Sequence, residues 1–198
     1  MPYNEKIPGW MPKKDLTTLE TLAKRVPENG SIVEVGSYQG RSSWALAKSC
    51  HPSVEVCCID LWNDSFIKEQ FIENTKDCPN IHSIQSGSTE VDWPEDKKVD
   101  LVFIDADHTS PQVDKDLAFW SKRVKAKGTL SGHDMDVASW PDVCRAVLNL
   151  SEELQIPFKV NGTGLIWWID YDPTMHPDFG SEANEVIIDW IKELTTKK

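Results

Sequence analysis

The sequence predicts an α/β fold, in which a doubly wound, mostly parallel sheet carries helices on both faces and ends in an antiparallel hairpin. Short apolar segments alternate with segments of helical periodicity along most of the chain, as in repeated βα units. Several apolar segments are almost free of polar residues, as strands covered on both faces are. The last two are joined only by Asn161-Gly162-Thr163-Gly164, which is too short for a parallel crossover and therefore predicts a hairpin.

The periodicity also predicts the order of the elements. Leucines at helical spacing follow Asp15, a suitable N-cap, and predict a first helix that ends near Pro27-Glu28-Asn29-Gly30. Strands are predicted at residues 31–35, 54–59, 81–85, 99–104, 129–131, 157–160 and 165–170. Further helices are predicted at residues 42–48, 66–76, 113–125, 141–154 and 183–194.

Length and charge limit the class of function. The 198 residues are enough for one domain with a core, so we expect residues 1–198 to form a single unit. A net charge of −11 disfavours nucleic acid as a partner, because phosphate binding depends on lysine and arginine. No apolar run approaches the roughly 20 residues of a membrane span, and the start of the chain lacks the features of a signal peptide. We therefore expect a cytoplasmic protein without a membrane partner, acting on a small molecule.

Cysteines, prolines and tryptophans give weaker indications. The five cysteines form no CxxC pair, so we expect reduced packing residues. Prolines make residues 1–14 an N-terminal extension, of which residues 7–11 could fold over a ligand as a lid. Among nine tryptophans, the adjacent Trp167 and Trp168 must face opposite sides of their strand. One of them can bury inward while the other meets a helix or a second subunit, so a homodimer is an alternative to a monomer.

The segment 32–43, Ile-Val-Glu-Val-Gly-Ser-Tyr-Gln-Gly-Arg-Ser-Ser, is typical of a strand, a ligand-binding loop and a helix start. Its glycines are spaced Gly36-xxx-Gly40 with Tyr38 between them, unlike the GxGxxG pattern that brings backbone close to a pyrophosphate. A dinucleotide is therefore disfavoured. Glu34 would need hydrogen-bond donors or a cation if it is buried. S-adenosylmethionine offers hydroxyls, an ammonium and a sulfonium.

Acidic and polar residues follow the predicted strands, at the sheet edge where ligands of open α/β sheets bind. Asp60 ends the second strand and is placed to accept hydrogen bonds from ribose hydroxyls. Ser88, in the Ser86-Gly87-Ser88 turn, is placed to border an adenine, and Trp62 is placed against the ligand or the core.

The fourth and fifth strands end in Asp105-Ala106-Asp107-His108 and His133-Asp134-Met135-Asp136. Each acidic residue alone could cap a helix or turn. Together with Glu34 and Asp60, at the ends of the first two strands, they indicate a shared cation, because carboxylates that converge at short range repel one another.

The motifs in which these residues occur resemble those of the class I S-adenosylmethionine-dependent methyltransferases. Within that class they are most similar to a small single-domain group like methyltransferase family 24. The motifs of that group look like E-x-G-S-Y-x-G-R-S, F-I-D-x-D-H and H-D, and they match Glu34, Gly36, Ser37, Tyr38, Gly40, Arg41, Ser42, residues 103–108 and residues 133–134. The resemblance covers residues 9–170 and implies a Rossmann-like, seven-stranded sheet with a reversed final hairpin. This chain departs from the pattern at Tyr38, where many class I enzymes have glycine.

The resemblance also implies a cofactor site. Glu34, the loop from Gly36 to Gly40 and Asp60 would hold the methionine and ribose parts of S-adenosylmethionine. The residues that would complete this site are Arg41, Ser42, Trp62, Ser88 and Asp105.

Methyl transfer is an in-line displacement, so the protein must align and deprotonate a nucleophile. Asp107, His108 and His133 are the candidate bases. Asp105 and Asp134 are candidate ligands for Mg²⁺ or Ca²⁺, similar to those of metal-dependent catechol and sugar O-methyltransferases. Met135 stands where catechol-type enzymes carry an asparagine ligand, so His133, Asp107 or Asp136 would have to complete the set.

We therefore expect transfer of a methyl group from S-adenosylmethionine to an oxygen of a small molecule or sugar. Two alternatives remain at this point: a nicotinamide-dependent oxidoreductase, and a module that binds the cofactor without turnover.

Overall fold

Seven strands form one mixed sheet in the computed structural model, which describes residues 6–172. The strands are β1 Ser31–Val35, β2 Glu55–Asp60, β3 Ile81–Gln85, β4 Val99–Ile104, β5 Val124–Gly132, β6 Lys159–Val160 and β7 Trp167–Asp170. The helices are α1 Lys13–Ala23, α2 Arg41–Ser49, α3 Ser65–Thr75, α4 Gln112–Ser121 and α5 Pro141–Leu154. The helix predicted at residues 183–194 lies outside the described residues, as do residues 1–5.

The strand order is β3-β2-β1-β4-β5-β7-β6. Strands β1 to β5 pair in parallel, and β7 is antiparallel to both β5 and β6. The predicted doubly wound, mostly parallel sheet with an antiparallel C-terminal hairpin is therefore confirmed. Because β1 and β4 are neighbours with β2 on one side and β5 on the other, the loops after all four strands open at one edge.

Apolar side chains fill both faces of the sheet. One core includes Val33, Leu130 and Trp167, and the other includes Leu46, Phe103 and Trp168. Trp167 and Trp168 are each 1% exposed, so both are buried within a single chain and neither requires a second subunit. All five cysteines are free, as predicted.

Several boundaries differ from the sequence predictions, and the differences at the junction of α4 and β5 and at the start of α1 have a clear physical reason. Helix α4 ends at Ser121 and β5 begins at Val124, whereas the periodicity extended the helix to residue 125 and began the strand at 129. Pairing of Val124 with Val99 buries Val124 and favours the strand over another helical turn. Helix α1 begins at Lys13 with Pro12 as its N-cap, so Asp15 lies inside the helix and is not the cap.

Within residues 6–172, every helix is too short or too polar to cross a bilayer.

The packing of β5 between β4 and β7 gives a test of the fold. A Cβ on Gly132 would lie 2.5 Å from Trp167 Cζ2 and 2.6 Å from the carbonyl oxygen of Ile104. We expect Gly132→Ala to lower the free energy of unfolding by about 1–3 kcal/mol, measured by urea denaturation, because overpacking a tight core forces its neighbours to shift. The matched control is Gly162→Ala, whose Cβ would meet nothing within 4 Å. An equal loss in both variants would contradict the tight packing of β5.

Candidate functional site

A cavity of about 750 Å³ opens at the carboxyl ends of the parallel strands. Its walls come from residues 8–11, from the loops that follow β1 to β5, and from the first turns of α4. Of the predicted site residues, those that line it are Gly36, Ser37, Tyr38, Arg41, Ser42, Asp60, Ser88, Asp105, Asp107, His108, His133 and Asp134. Glu34, Gly40 and Trp62 are not among the lining residues.

The loop after β1 lies directly against the end of β4. Gly36 has φ +87°, and a Cβ there would lie 2.1 Å from the carbonyl oxygen of Asp105. Only glycine permits both this backbone conformation and this approach. The amide of Gly36 also donates to the carbonyl of Ile59 at 2.8 Å, so the loop is held between the ends of β2 and β4.

Asp60 determines the shape of this loop. Its Oδ2 accepts from the amides of Ser37 at 2.9 Å and Tyr38 at 2.8 Å, and its Oδ1 accepts from the amide of Trp62 at 2.8 Å. The Trp62 indole donates to the carbonyl of Tyr38 at 2.9 Å. Tyr38 and Trp62 have φ +46° and +38°, so these bonds hold two residues in the left-handed region that side chains disfavour. Trp62 thus supports the loop from the core instead of lining the cavity.

Glu34 lies beneath the loop and is fully buried. The hydroxyl of Ser43 donates to its Oε2, while its Oε1 has no hydrogen-bond partner among the described residues. Burial raises the pKa of Glu34, and the nearby hydroxyls of Ser42 and Ser43 oppose that shift. Glu34 therefore supports the base of the loop and the start of α2.

The predicted lid lies at the mouth of the cavity. Residues 8–11 form part of its wall, and Arg41 Nη1 donates to the carbonyl of Gly9 at 2.8 Å. The ring of Trp10 lies 5.0 Å from that of Tyr38, yet Trp10 remains 83% exposed. The N-terminal segment is thus bonded to the same loop that Asp60 organises.

Two histidines and two carboxylates meet at the other end of the cavity. His108 Nε2 lies 2.7 Å from Asp134 Oδ2 and 3.6 Å from Asp105 Oδ1, and His133 Nδ1 lies 3.1 Å from Asp134 Oδ2. The bonds to Asp105 and Asp134 raise the pKa of His108 to about 9. Burial raises the pKa of Asp105. Burial acts in the same direction on Asp134, but ion pairing with His108 and His133 holds its pKa well below the usual range.

A buried carboxylate that sequence reasoning missed holds His133 in place. Asp15 is fully buried, and its Oδ2 lies 3.4 Å from His133 Nε2. Its Oδ1 accepts from Asn161 Nδ2 at 2.7 Å and from the hydroxyl of Thr163. Burial opposes the charge on His133, but the bonds to Asp134 and Asp15 outweigh it and raise the pKa of His133 to about 10. The sequence feature that could have identified Asp15 is its position as a charged residue among the leucines of α1.

Asp107 and Trp140 complete this end of the cavity. The Asp107 carboxylate accepts from the amide and hydroxyl of Thr109 at 2.9 and 2.7 Å, and these bonds lower its pKa. An exposed carboxylate with a lowered pKa is a weaker base than a histidine. The Trp140 ring lies 4.4 Å from the His108 ring and holds it from one side.

Asp105, His108 and Asp134 can together hold a metal ion. Each offers one ligand atom, and the three atoms lie within 4.8 Å of one another. The carboxylates suit Mg²⁺ or Ca²⁺, whereas the imidazole suits a transition ion such as Mn²⁺ or Zn²⁺ better. His108 thus joins the two predicted ligands, whereas Asp107 and Asp136 hydrogen-bond to their own turns.

Comparisons with known proteins agree with this architecture. The family model described as a methyltransferase domain matches residues 33–135 of the 198. The chain has no significant match among curated proteins. Many solved structures share the fold at low sequence identity.

The O-methyltransferase from Bacillus cereus in complex with SAH has 13% identity and a TM-score of 0.63, with 83% of this chain and 84% of that chain covered. The O-methyltransferase TomG from Streptomyces achromogenes in complex with SAM has 15% identity and a TM-score of 0.61, with 81% of each chain covered. The precorrin-6y C5,15-methyltransferase from Geobacter metallireducens has 13% identity and a TM-score of 0.62, with 84% and 90% covered.

The contacts of His133 predict a pH-dependent contribution to stability. Because its pKa is raised to about 10 in the folded state, against about 6.5 in an unfolded chain, protonated His133 stabilises the fold fully below about pH 6.5. This stabilisation is lost as the pH rises toward 10. We expect the difference in unfolding free energy between wild type and His133→Gln to be largest near pH 6 and to shrink by pH 10, in urea titrations with a chelator present. The exposed His82→Gln is the control. A difference that does not change with pH would contradict the paired, protonated state.

Proposed function

Because the chain belongs to the methyltransferase-domain family, we propose that it transfers a methyl group from S-adenosylmethionine to an oxygen of a small molecule or sugar. One observation carries this proposal: a single cavity joins the Asp60-organised loop to the cluster of Asp105, His108 and Asp134. The loop is suited to a cofactor, and the cluster is suited to an acceptor hydroxyl.

The loop side of the cavity fits an adenosyl cofactor. When bound, S-adenosylmethionine supplies an electrophilic methyl group on a positively charged sulfur. Within residues 6–172, Asp60 Oδ1 accepts one hydrogen bond, from the amide of Trp62, so it can accept a ribose hydroxyl as well. Ser37 and Ser42 line the cavity beside Gly36 and are suited to the methionine part of the cofactor.

The histidine side fits an acceptor oxygen. We assign His108 as the general base, because Asp105 and Asp134 orient its imidazole and its side chain is 25% exposed at the cavity wall. His133 is bonded to carboxylates on both ring nitrogens, so it orients Asp134 and is less suited to take a proton from the acceptor.

A metal-assisted form of the same reaction is the second candidate. The convergence of Asp105, His108 and Asp134 favours it, and a divalent ion there would act as a Lewis acid for the acceptor oxygen. The O-methyltransferases among the similar structures support an oxygen acceptor, while the precorrin C5,15-methyltransferase has the same fold. The spacing of Gly36 and Gly40 disfavours the nicotinamide alternative.

The proposal is tested first by thermal denaturation with S-adenosylhomocysteine, with NAD and with neither. A ligand at about 100 times its Kd adds about 2.7 kcal/mol, which raises the melting temperature of a chain of this size by about 5 to 10 °C. Stabilisation by NAD alone would contradict the proposal. Stabilisation by S-adenosylhomocysteine without turnover of any hydroxyl acceptor, with and without divalent ions, would favour the binding module.

The two ends of the cavity predict separable effects of mutation. We expect Asp60→Ala to abolish the thermal shift by S-adenosylhomocysteine, because the amides of Ser37, Tyr38 and Trp62 lose their common acceptor. We expect Asp134→Ala to keep that shift and to lose turnover, since its carboxylate pairs with His108 and His133. Isothermal titration with S-adenosylhomocysteine measures the binding to both variants. Equal loss of binding in the two variants would refute this division.

The base assignment predicts a pH profile. With a pKa of about 9, His108 is largely protonated at pH 7, and only the neutral imidazole can accept a proton. In metal-free enzyme, kcat should rise about tenfold per pH unit up to about pH 9 and then level off. His108→Gln should lower kcat by about 10²–10⁴-fold and remove this slope. His82→Gln again serves as the control, and a slope that survives in His108→Gln would assign the base elsewhere.

A further inference from the structure

Asp15 is a fully buried carboxylate in the first turn of α1, and it joins three separate parts of the chain. Its Oδ1 accepts from Asn161 Nδ2 at 2.7 Å and from the hydroxyl of Thr163, both in the turn between β6 and β7. Its Oδ2 lies 3.4 Å from His133 Nε2. One oxygen therefore fixes the carboxylate to the fold, and the other is directed at the histidine cluster.

The backbone of His133 is held independently of Asp15. Its amide donates to the carbonyl of Ile104 at 3.1 Å, and its carbonyl accepts from the indole of Trp167 at 3.2 Å. The carboxylates at its two ring nitrogens, Asp15 at Nε2 and Asp134 at Nδ1, therefore act on the orientation of the imidazole and not on the path of the chain. A ring held at both nitrogens cannot turn without losing both contacts.

The same oxygen of Asp134 contacts both histidines. Asp134 Oδ2 lies 3.1 Å from His133 Nδ1 and 2.7 Å from His108 Nε2. Displacement of the His133 ring would therefore move the carboxylate that orients His108. The path from Asp15 to His108 runs through one imidazole and one carboxylate, and each step is a direct contact between side-chain atoms.

We propose that Asp15 is a positioning residue for methyl transfer, which holds the His108 imidazole toward the acceptor through His133 and Asp134. This inference rests on the proposed function, in which His108 takes the proton of the acceptor hydroxyl. A base must lie within hydrogen-bond reach of that proton, and a misplacement of about 1 Å can lower the rate about 10²-fold. Asp15 is not among the residues that line the cavity, so it acts on the base and not on a ligand.

The test is Asp15→Asn. Asn161 and Thr163 should keep the amide oxygen at the Oδ1 position, so the amide nitrogen would face His133 Nε2 and remove its acceptor. In imidazole NMR spectra of the complex with S-adenosylhomocysteine, the ring resonances of His108, assigned with His108→Gln, should shift. In turnover assays with a hydroxyl acceptor, of which catechol is the first probe, kcat should fall about 10–10²-fold. The KM of the acceptor and the Kd of S-adenosylhomocysteine should stay within about threefold.

The control is Thr163→Val, which removes a bond to Asp15 Oδ1 and leaves the contact between Asp15 and His133. It should lower the free energy of unfolding, measured by urea denaturation, yet keep kcat within about threefold and leave the His108 resonances in place. Equal losses of kcat in the two variants, or unchanged His108 resonances in Asp15→Asn, would show that Asp15 only stabilises the fold, and the inference would be wrong while the proposed function stands.

A second variant tests the same path. Because Asp15 acts through His133, Asp15→Asn should lower kcat no further in a His133→Gln background. If Asp15→Asn does not fold, His133→Gln alone should shift the His108 resonances and lower kcat, and unchanged values would overturn the inference. If the wild type methylates no hydroxyl compound, the proposed function fails and the inference fails with it.

Discussion

The contact between Gly36 and the end of β4 is the constraint on which the rest of the site depends. A Cβ at this position would lie 2.1 Å from the carbonyl oxygen of Asp105, so any other residue would push the loop away from β4. The loop that fits the cofactor and the strand end that carries Asp105 would then no longer share one cavity. Asp60 also holds this loop in place, because its carboxylate accepts hydrogen bonds from the amides of Ser37 and Tyr38 on the opposite side of Gly36. The proposed juxtaposition of cofactor and acceptor therefore depends first on the backbone at Gly36 and then on the side chain of Asp60.

Charge is the second constraint, because the chain carries a net charge of −11 and places several carboxylates at one sheet edge. His108 and His133 balance Asp105 and Asp134, and Asp15 stabilises His133 from behind. Protonated histidines and a divalent ion are alternative ways to supply the same positive charge. Binding of an ion would therefore compete with the proton on His108, and the pH dependence of metal affinity should follow that of the imidazole.

The sequence predicted the fold, and most of the residues that it assigned to the site line the cavity, because both depend on local patterns. Strand β1 has the predicted bounds, since a run of apolar residues ends at a glycine, and the acidic strand ends converge because parallel strands share an edge. The boundary between α4 and β5 was missed because it depends on the pairing of Val124 with Val99, 25 residues away. Asp15 and Asp116 were visible as charges within apolar helical stripes, but their partners are distant in sequence. Asp15 meets His133 across 118 residues and Asp116 meets Ser88 across 28. No local pattern encodes those contacts.

The buried and half-buried carboxylates of this site differ in how many of their acceptor positions the fold has filled. Asp15 is bonded on both oxygens by protein groups, so its role is to position His133. Asp60 accepts two amides on Oδ2 and one on Oδ1, which leaves a capacity suited to a hydroxyl. Asp116 Oδ1 accepts hydrogen bonds from Ser88 and Gln112, whereas Oδ2 accepts none within residues 6–172. An unpaired buried acceptor lowers stability. Asp60 and Asp116 line the cavity and keep acceptor capacity, whereas Glu34 keeps an unpaired oxygen but does not line the cavity. A free acceptor therefore indicates a ligand contact only where its residue also borders the cavity.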